Sequence, residues 1–147
     1  MQWLVAHVNR VYMQRKSIPT DWWSTAWHKT LTNRQRLLWR YLWEKCDPVG
    51  MFAPLWQDEM AFHLGCTTDE LLEDIAFLED GELVAHLDGG ELILPGFLLI
   101  QYGRLSRNSR AHYHVIYRLE RQFGDDIAAG WGLAGLPEYA MPDIIGE

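Results

Sequence analysis

The run NRQRLLWRYLWEKC, residues 33–46, limits the possible folds more than any other stretch of the chain. Wound as a helix from Thr32 or Asn33 to Cys46, it spreads Leu37, Leu38, Trp39, Tyr41, Leu42 and Trp43 around most of its circumference. Only Arg36, Arg40 and Glu44 share a polar arc. A helix with so little polar surface has to be surrounded, so it is expected at the centre of the fold. The DPVG that follows ends it by turn chemistry, and MFAPL is a short extended connection.

What surrounds it can be read from caps and periods. Residues 2–15 suit a helix, with Trp3, Leu4, Val8, Val11 and Tyr12 at roughly helical spacing. SIPTDWW breaks that helix, and Thr20 caps a second one running to about Leu31, with Trp23, Trp27 and Leu31 at i, i+4 and i+8. This tryptophan seam reads either as packing against the main body or as a platform for stacking a base or ligand. Beyond the centre, WQDEMAFHL is a short helix closed by Gly65. TTDELLEDIAFLEDG opens on a capping box of Thr67 and Glu70, and ELVAHLDGGELILP makes a hairpin. Helix, short strand, helix, turn, helix, hairpin is the order of a winged helix-turn-helix.

Past Pro95 the apolar GFLLIQYG leads into the turn RLSRN, and Ser109 caps a last helix, RAHYHVIYRLERQF, stopped by Gly124. Its apolar stripe is His112, Val115, Ile116, Leu119 and Phe123, and Arg110, His114, Arg118 and Arg121 recur on an opposite face. The expected fold class is therefore mainly α with a small β-hairpin, a winged helix-turn-helix with extra N-terminal helices and a C-terminal basic helix. One domain spans 1–124, made of an N-terminal helical extension (1–31), a winged-helix core (32–95) and the basic helix segment (96–124). Residues 125–147 are acidic, punctuated by Gly and Pro and without helical period; they are expected to form a loose extension docking through Trp131, Tyr139, Ile144 or Ile145.

Charge is sorted along the chain. The formal net charge is −7, yet residues 46–100 hold twelve acids and no Lys or Arg, whereas residues 101–123 hold five Arg against one acid. Separate basic and acidic surfaces follow if the fold keeps these blocks apart. Cys46 and Cys66 are too few for a disulfide framework and are expected as buried thiols. No segment has the length of a membrane span or the continuous apolar block of a signal peptide, so a soluble, cytoplasmic protein without a membrane partner is expected.

The span GFLLIQYGRLSRNSRAHYHVIYRLERQFG, placed downstream of RLLWRYLWEKCDPVGMF, resembles the N-terminal module of phage and prophage replication proteins of the replisome-organiser type. The residues that carry the resemblance are Phe97, Gln101, Tyr102, Gly103, Leu105, Arg110, His112, Val115 and Leu119, with Trp39, Tyr41, Leu42, Trp43, Asp47 and Gly50 upstream. It covers about residues 32–124. The resemblance implies a winged-helix fold and a place in or beside DNA replication, in a phage or an integrated element of a bacterial host cell; DNA is the partner expected from the arginines considered next. Members are often longer, with a further region taken to recruit helicase-loading partners, and recruitment by that route is not expected here.

In a helix-turn-helix the second helix enters the major groove. Here that helix, Thr68 to Asp80, has its core side at Leu71, Leu72, Ile75 and Leu78 and turns Asp69, Glu70, Glu73, Asp74, Phe77 and Asp80 outward. Such a face repels phosphates. The nucleic-acid-binding candidates are instead Arg104, Arg107, Asn108, Arg110, His114, Arg118 and Arg121, joined by Arg34, Arg36 and Arg40. Three other readings stay open for these arginines: a solvated face, pairing with the chain's own acids, or contact with an acidic protein partner. As an alternative function, Asp69, Glu70, Glu73, Asp74 and Phe77 form a patch for a replication or host defence protein, an aromatic anchor ringed by charge. A homodimer joining basic and acidic faces fits either reading. His63 with Cys66 and His112 with His114 lack the paired spacing of zinc sites, and no phosphate loop or nucleophile motif is present. No cofactor, metal or catalytic residue is expected.

Overall fold

The computed structural model describes residues 16–135. At its centre stands helix α2, Asn33–Lys45, preceded by a one-turn helix α1, Ala26–Lys29. Thr32 and Gln35 close a capping box on α2: the Gln35 amide donates to Thr32 Oγ1 at 3.1 Å, and the Thr32 amide donates to Gln35 Oε1 at 3.0 Å. Leu38, Trp39, Leu42 and Trp43 are buried, but Leu37 is half exposed, so one flank of this helix meets solvent.

The helix expected from Thr20 to Leu31 is broken. A 3-10 turn at Trp22–Ser24 and α1 are separated by Thr25, whose backbone is extended at φ −80° and ψ 148°. The break lets Trp22, not Trp23, turn inward. Its ring meets Trp27, Trp39 and Trp43 edge-on, with centroids 6.3, 5.6 and 5.0 Å away. Trp23 is 65% exposed, with the Arg36 guanidinium 5.5 Å over its ring. The seam therefore packs, as one of its two readings held, but through a different tryptophan.

Strand β1, Met51–Phe52, follows α2, then helix α3, Gln57–Leu64, which ends on left-handed Gly65, and helix α4, Thr68–Asp80, with its capping box of Thr67 and Glu70 in place. Strands β2, Ala85–His86, and β3, Leu92–Ile93, form the hairpin, and β1 pairs with β3 on its other edge, all antiparallel, with Met51 and Ala85 both opposite Ile93. Gly50, at φ +84°, turns the chain into β1; a side chain there is excluded, because a Cβ would lie 2.8 Å from Phe97 Cβ.

The apolar segment after Pro95 is helical: α5, Phe97–Tyr102, buries Phe97 against Trp43 with ring centroids 5.0 Å apart. Helix α6, Arg110–Phe123, starts at Ser109 as expected, but the Ser109 side chain makes no cap. The turn is held instead by the Ser106 amide, which donates to His112 Nδ1 at 3.0 Å. Val115, Ile116 and Leu119 enter the core.

The segment after Gly124 departs from the expected loose, aperiodic extension. A 3-10 turn leads into helix α7, Ile127–Leu133, which packs on α6, and Trp131 is fully buried. Ile127, Trp131 and Ala134 fall at i, i+4 and i+7, a helical spacing masked by Gly130 and Gly132. The Gly96 amide donates to the Ala134 carbonyl at 2.9 Å, tying this helix to the start of α5. The expected helix over residues 2–15 and the docking residues Tyr139, Ile144 and Ile145 lie outside the described residues. No helix among the described residues is long and apolar enough to cross a membrane.

The two thiols are unlike, which corrects the expectation that both are buried. Cys46 is buried and Cys66 only partly so; burial pushes the Cys46 thiol up to about 12. At pH 8, iodoacetamide is expected to label Cys66 in the folded chain and Cys46 only after unfolding, as peptide mapping by mass spectrometry would show. Equal labelling rates in the folded chain would contradict this burial.

Candidate nucleic-acid interface

The residues that carry the family resemblance mostly brace the fold. Gln101 accepts from the Ser17 amide at 2.7 Å and donates to the Ser17 carbonyl at 2.6 Å, tying the entering chain to α5. Tyr102 stacks edge-on with His112, centroids 5.6 Å apart. Asp47 Oδ1 accepts from the amides of Val49 and Met51, each at 2.9 Å, while Oδ2 holds Arg118 Nη2 at 2.7 Å.

That last contact divides the expected basic stripe. Arg118, half buried, pins α6 to the turn before β1, and Arg107 pairs with Glu120. Arg104 and Asn108 are exposed and each has an interaction. Arg110, His114 and Arg121 are exposed and make no ion pair among the described residues. At 100° per residue these three form one strip along α6. Their neighbours on one border are Tyr117, then Tyr113, which are 54% and 68% exposed. Tyr113, Ile116 and Tyr117 line a cleft of about 120 Å³ with the Arg107–Glu120 pair. The two tyrosines were missing from the sequence candidates. Their spacing of three and seven residues from Arg110 was the available signal.

The N-terminal arginines do not join this strip. Arg36 reaches the carbonyls of His28 and Lys29, both at 3.4 Å, and Arg40 pairs with Glu44 at 2.6 Å, one turn along α2. Arg34 turns to α4, where its Nε donates to Asp74 at 2.6 Å and Nη1 to Glu70 at 2.5 Å, with Glu73 3.9 Å away.

Asp74 is thus not an outward residue. It is 4% exposed, and Gln35 Nε2 at 3.3 Å completes its coordination. A buried carboxylate needs such partners, and the guanidinium fork supplies two bonds. Glu70 is also engaged: its carboxyl is held below the usual range by the Thr67 amide and hydroxyl of the capping box, and then by Arg34. Leu72, expected in the core, is exposed instead, alongside Phe77. Asp69, Glu73, Phe77 and Asp80 remain on the outward face of α4 as expected.

His63 Nδ1 is hydrogen-bonded to Tyr41 Oη at 2.7 Å and His112 Nδ1 to Ser106, and no group of three or more metal-ligating side chains occurs among the described residues. No family model, curated protein or solved structure matches this chain.

Proposed function

We propose that the chain is a winged-helix module that binds nucleic acid, with little sequence selectivity, in the DNA replication setting of a phage or integrated element. The observation that carries this reading is the strip of Arg110, His114 and Arg121, exposed and without an internal ion pair among the described residues. The order α2, β1, α3, α4, β2, β3, with β1 closing on β3, supports the winged-helix identity. The resemblance of residues 32–124 to replisome-organiser-type proteins supports the setting.

Binding runs through α6 and not through α4, whose outward face still carries Asp69, Glu73 and Asp80. Within α6, pairing of Arg118 leaves two fixed arginine charges, Arg110 and Arg121. Salt dependence should be shallow, with a log-log slope of about −1.4 on single strands or about −1.8 on duplex. In fluorescence anisotropy over a salt series, Arg110→Gln with Arg121→Gln is expected to abolish binding, whereas Arg107→Gln, whose charge already serves Glu120, should change affinity little. A double variant that binds as well as the parent would sink the reading.

Phe77 and Leu72, both exposed on α4 among its remaining acids, favour a second reading: an adaptor or inhibitor face for a replication or host protein. A homodimer fits both readings.

A further inference from the structure

Resting on the α6 interface proposed above, we propose that its ligand is single-stranded nucleic acid, held by stacking of its bases on Tyr113 and Tyr117. The two rings stand one helical turn apart, ~6 Å along the axis. Neighbouring bases in a duplex are ~3.4 Å apart and are closed in on both faces. Successive bases therefore reach both rings only when the strand is unstacked.

The surroundings sort the two parts of a strand. Tyr113 and Tyr117 wall a cleft backed by buried Ile116, a surface suited to the flat apolar face of a base. Arg107 and Glu120 pair at the same cleft, so their charges compensate and the cleft draws phosphates little. Arg110, His114 and Arg121 border the tyrosines on the other side and draw the backbone there. Bases thus lie over the tyrosines and phosphates along the arginines. From Arg110 to Arg121 the strip runs ~16 Å along the helix axis, room for only a few extended nucleotides. Every base has a stackable face, so little sequence preference is expected.

Three fluorescein-labelled probes test this at low salt with the full chain: a short oligothymidylate, an abasic strand with the same number of phosphates, and a blunt duplex. Oligothymidylate should bind about tenfold tighter than the abasic strand and tighter than the duplex. Tyr113→Ala with Tyr117→Ala should remove that tenfold advantage and leave the abasic strand unaffected. Tyr113→Phe with Tyr117→Phe should keep it, since stacking needs the ring and not the hydroxyl. Both side chains are largely exposed, so neither pair of changes threatens the fold, which circular dichroism would verify. Equal binding of oligothymidylate and abasic strand, a preference for duplex, or an alanine pair that binds like the parent overturns the stacking proposal while the nucleic-acid interface stands. No binding of any probe by the parent overturns both.

Discussion

Trp43→Ala should lower the unfolding free energy by about 3–5 kcal/mol, a large part of the ~5–15 kcal/mol that holds a domain of ordinary size. Its indole is fully buried where α2 crosses the entering chain and α5, with ring centroids 5.0 Å from Trp22, 5.8 Å from Trp39 and 5.0 Å from Phe97. Truncation loses the transfer energy of the ring and leaves a cavity that three flat neighbours cannot collapse into. It also removes the bond from Trp43 Nε1 to the Ser17 carbonyl at 2.8 Å, leaving Gln101 Nε2 as that carbonyl's donor. Trp23→Ala is the control: that ring is exposed, and its loss should cost no more than about 0.5 kcal/mol. Urea denaturation followed by far-UV circular dichroism measures both without relying on tryptophan emission. A cost for Trp43→Ala equal to that of Trp23→Ala would contradict the aromatic centre described above.

Trp131→Ala should cost about 3 kcal/mol and free the segment around α7 from α6. The figure sits at the low end of the range for truncating a buried aromatic side chain. Hydrogen exchange should show lost protection in residues 127–135 and at the Gly96 amide, whose acceptor is Ala134. A loose acidic extension would instead lose nothing measurable. Cutting the chain after Gly124 removes the same side chain and would expose the part of the core it covers.

Both large effects concern tryptophans, and they show how differently two buried residues can be signalled. Trp43 lies in a run whose apolar residues occupy nearly every direction, so its burial follows from the pattern alone. Trp131 lies among glycines that lower helix propensity, and only its docking on α6 offsets that cost. Trp22 and Trp23 are adjacent and chemically identical, and helical periodicity selected the wrong one because the extended Thr25 breaks the period.

The site divides in the same way. Caps, turns and the hairpin depend on residues within a few positions of one another, so α2, α3, α4 and the β2–β3 hairpin, together with the start and end of α6, were legible in the sequence. So was the basic character of α6. Which of its charges face outward was decided between elements distant in sequence. Asp47 takes Arg118 from 71 positions away, Glu120 takes Arg107, and Arg34 draws Asp74 inward across 40 positions. An ion pair forms wherever tertiary packing brings opposite charges within a few ångströms, and linear spacing carries no record of that distance. The sequence determined that this chain would carry a basic helix beside a helical core; the tertiary structure decided that Arg110, His114 and Arg121, bordered by two tyrosines, are the part of it left exposed and without an ion pair among the described residues.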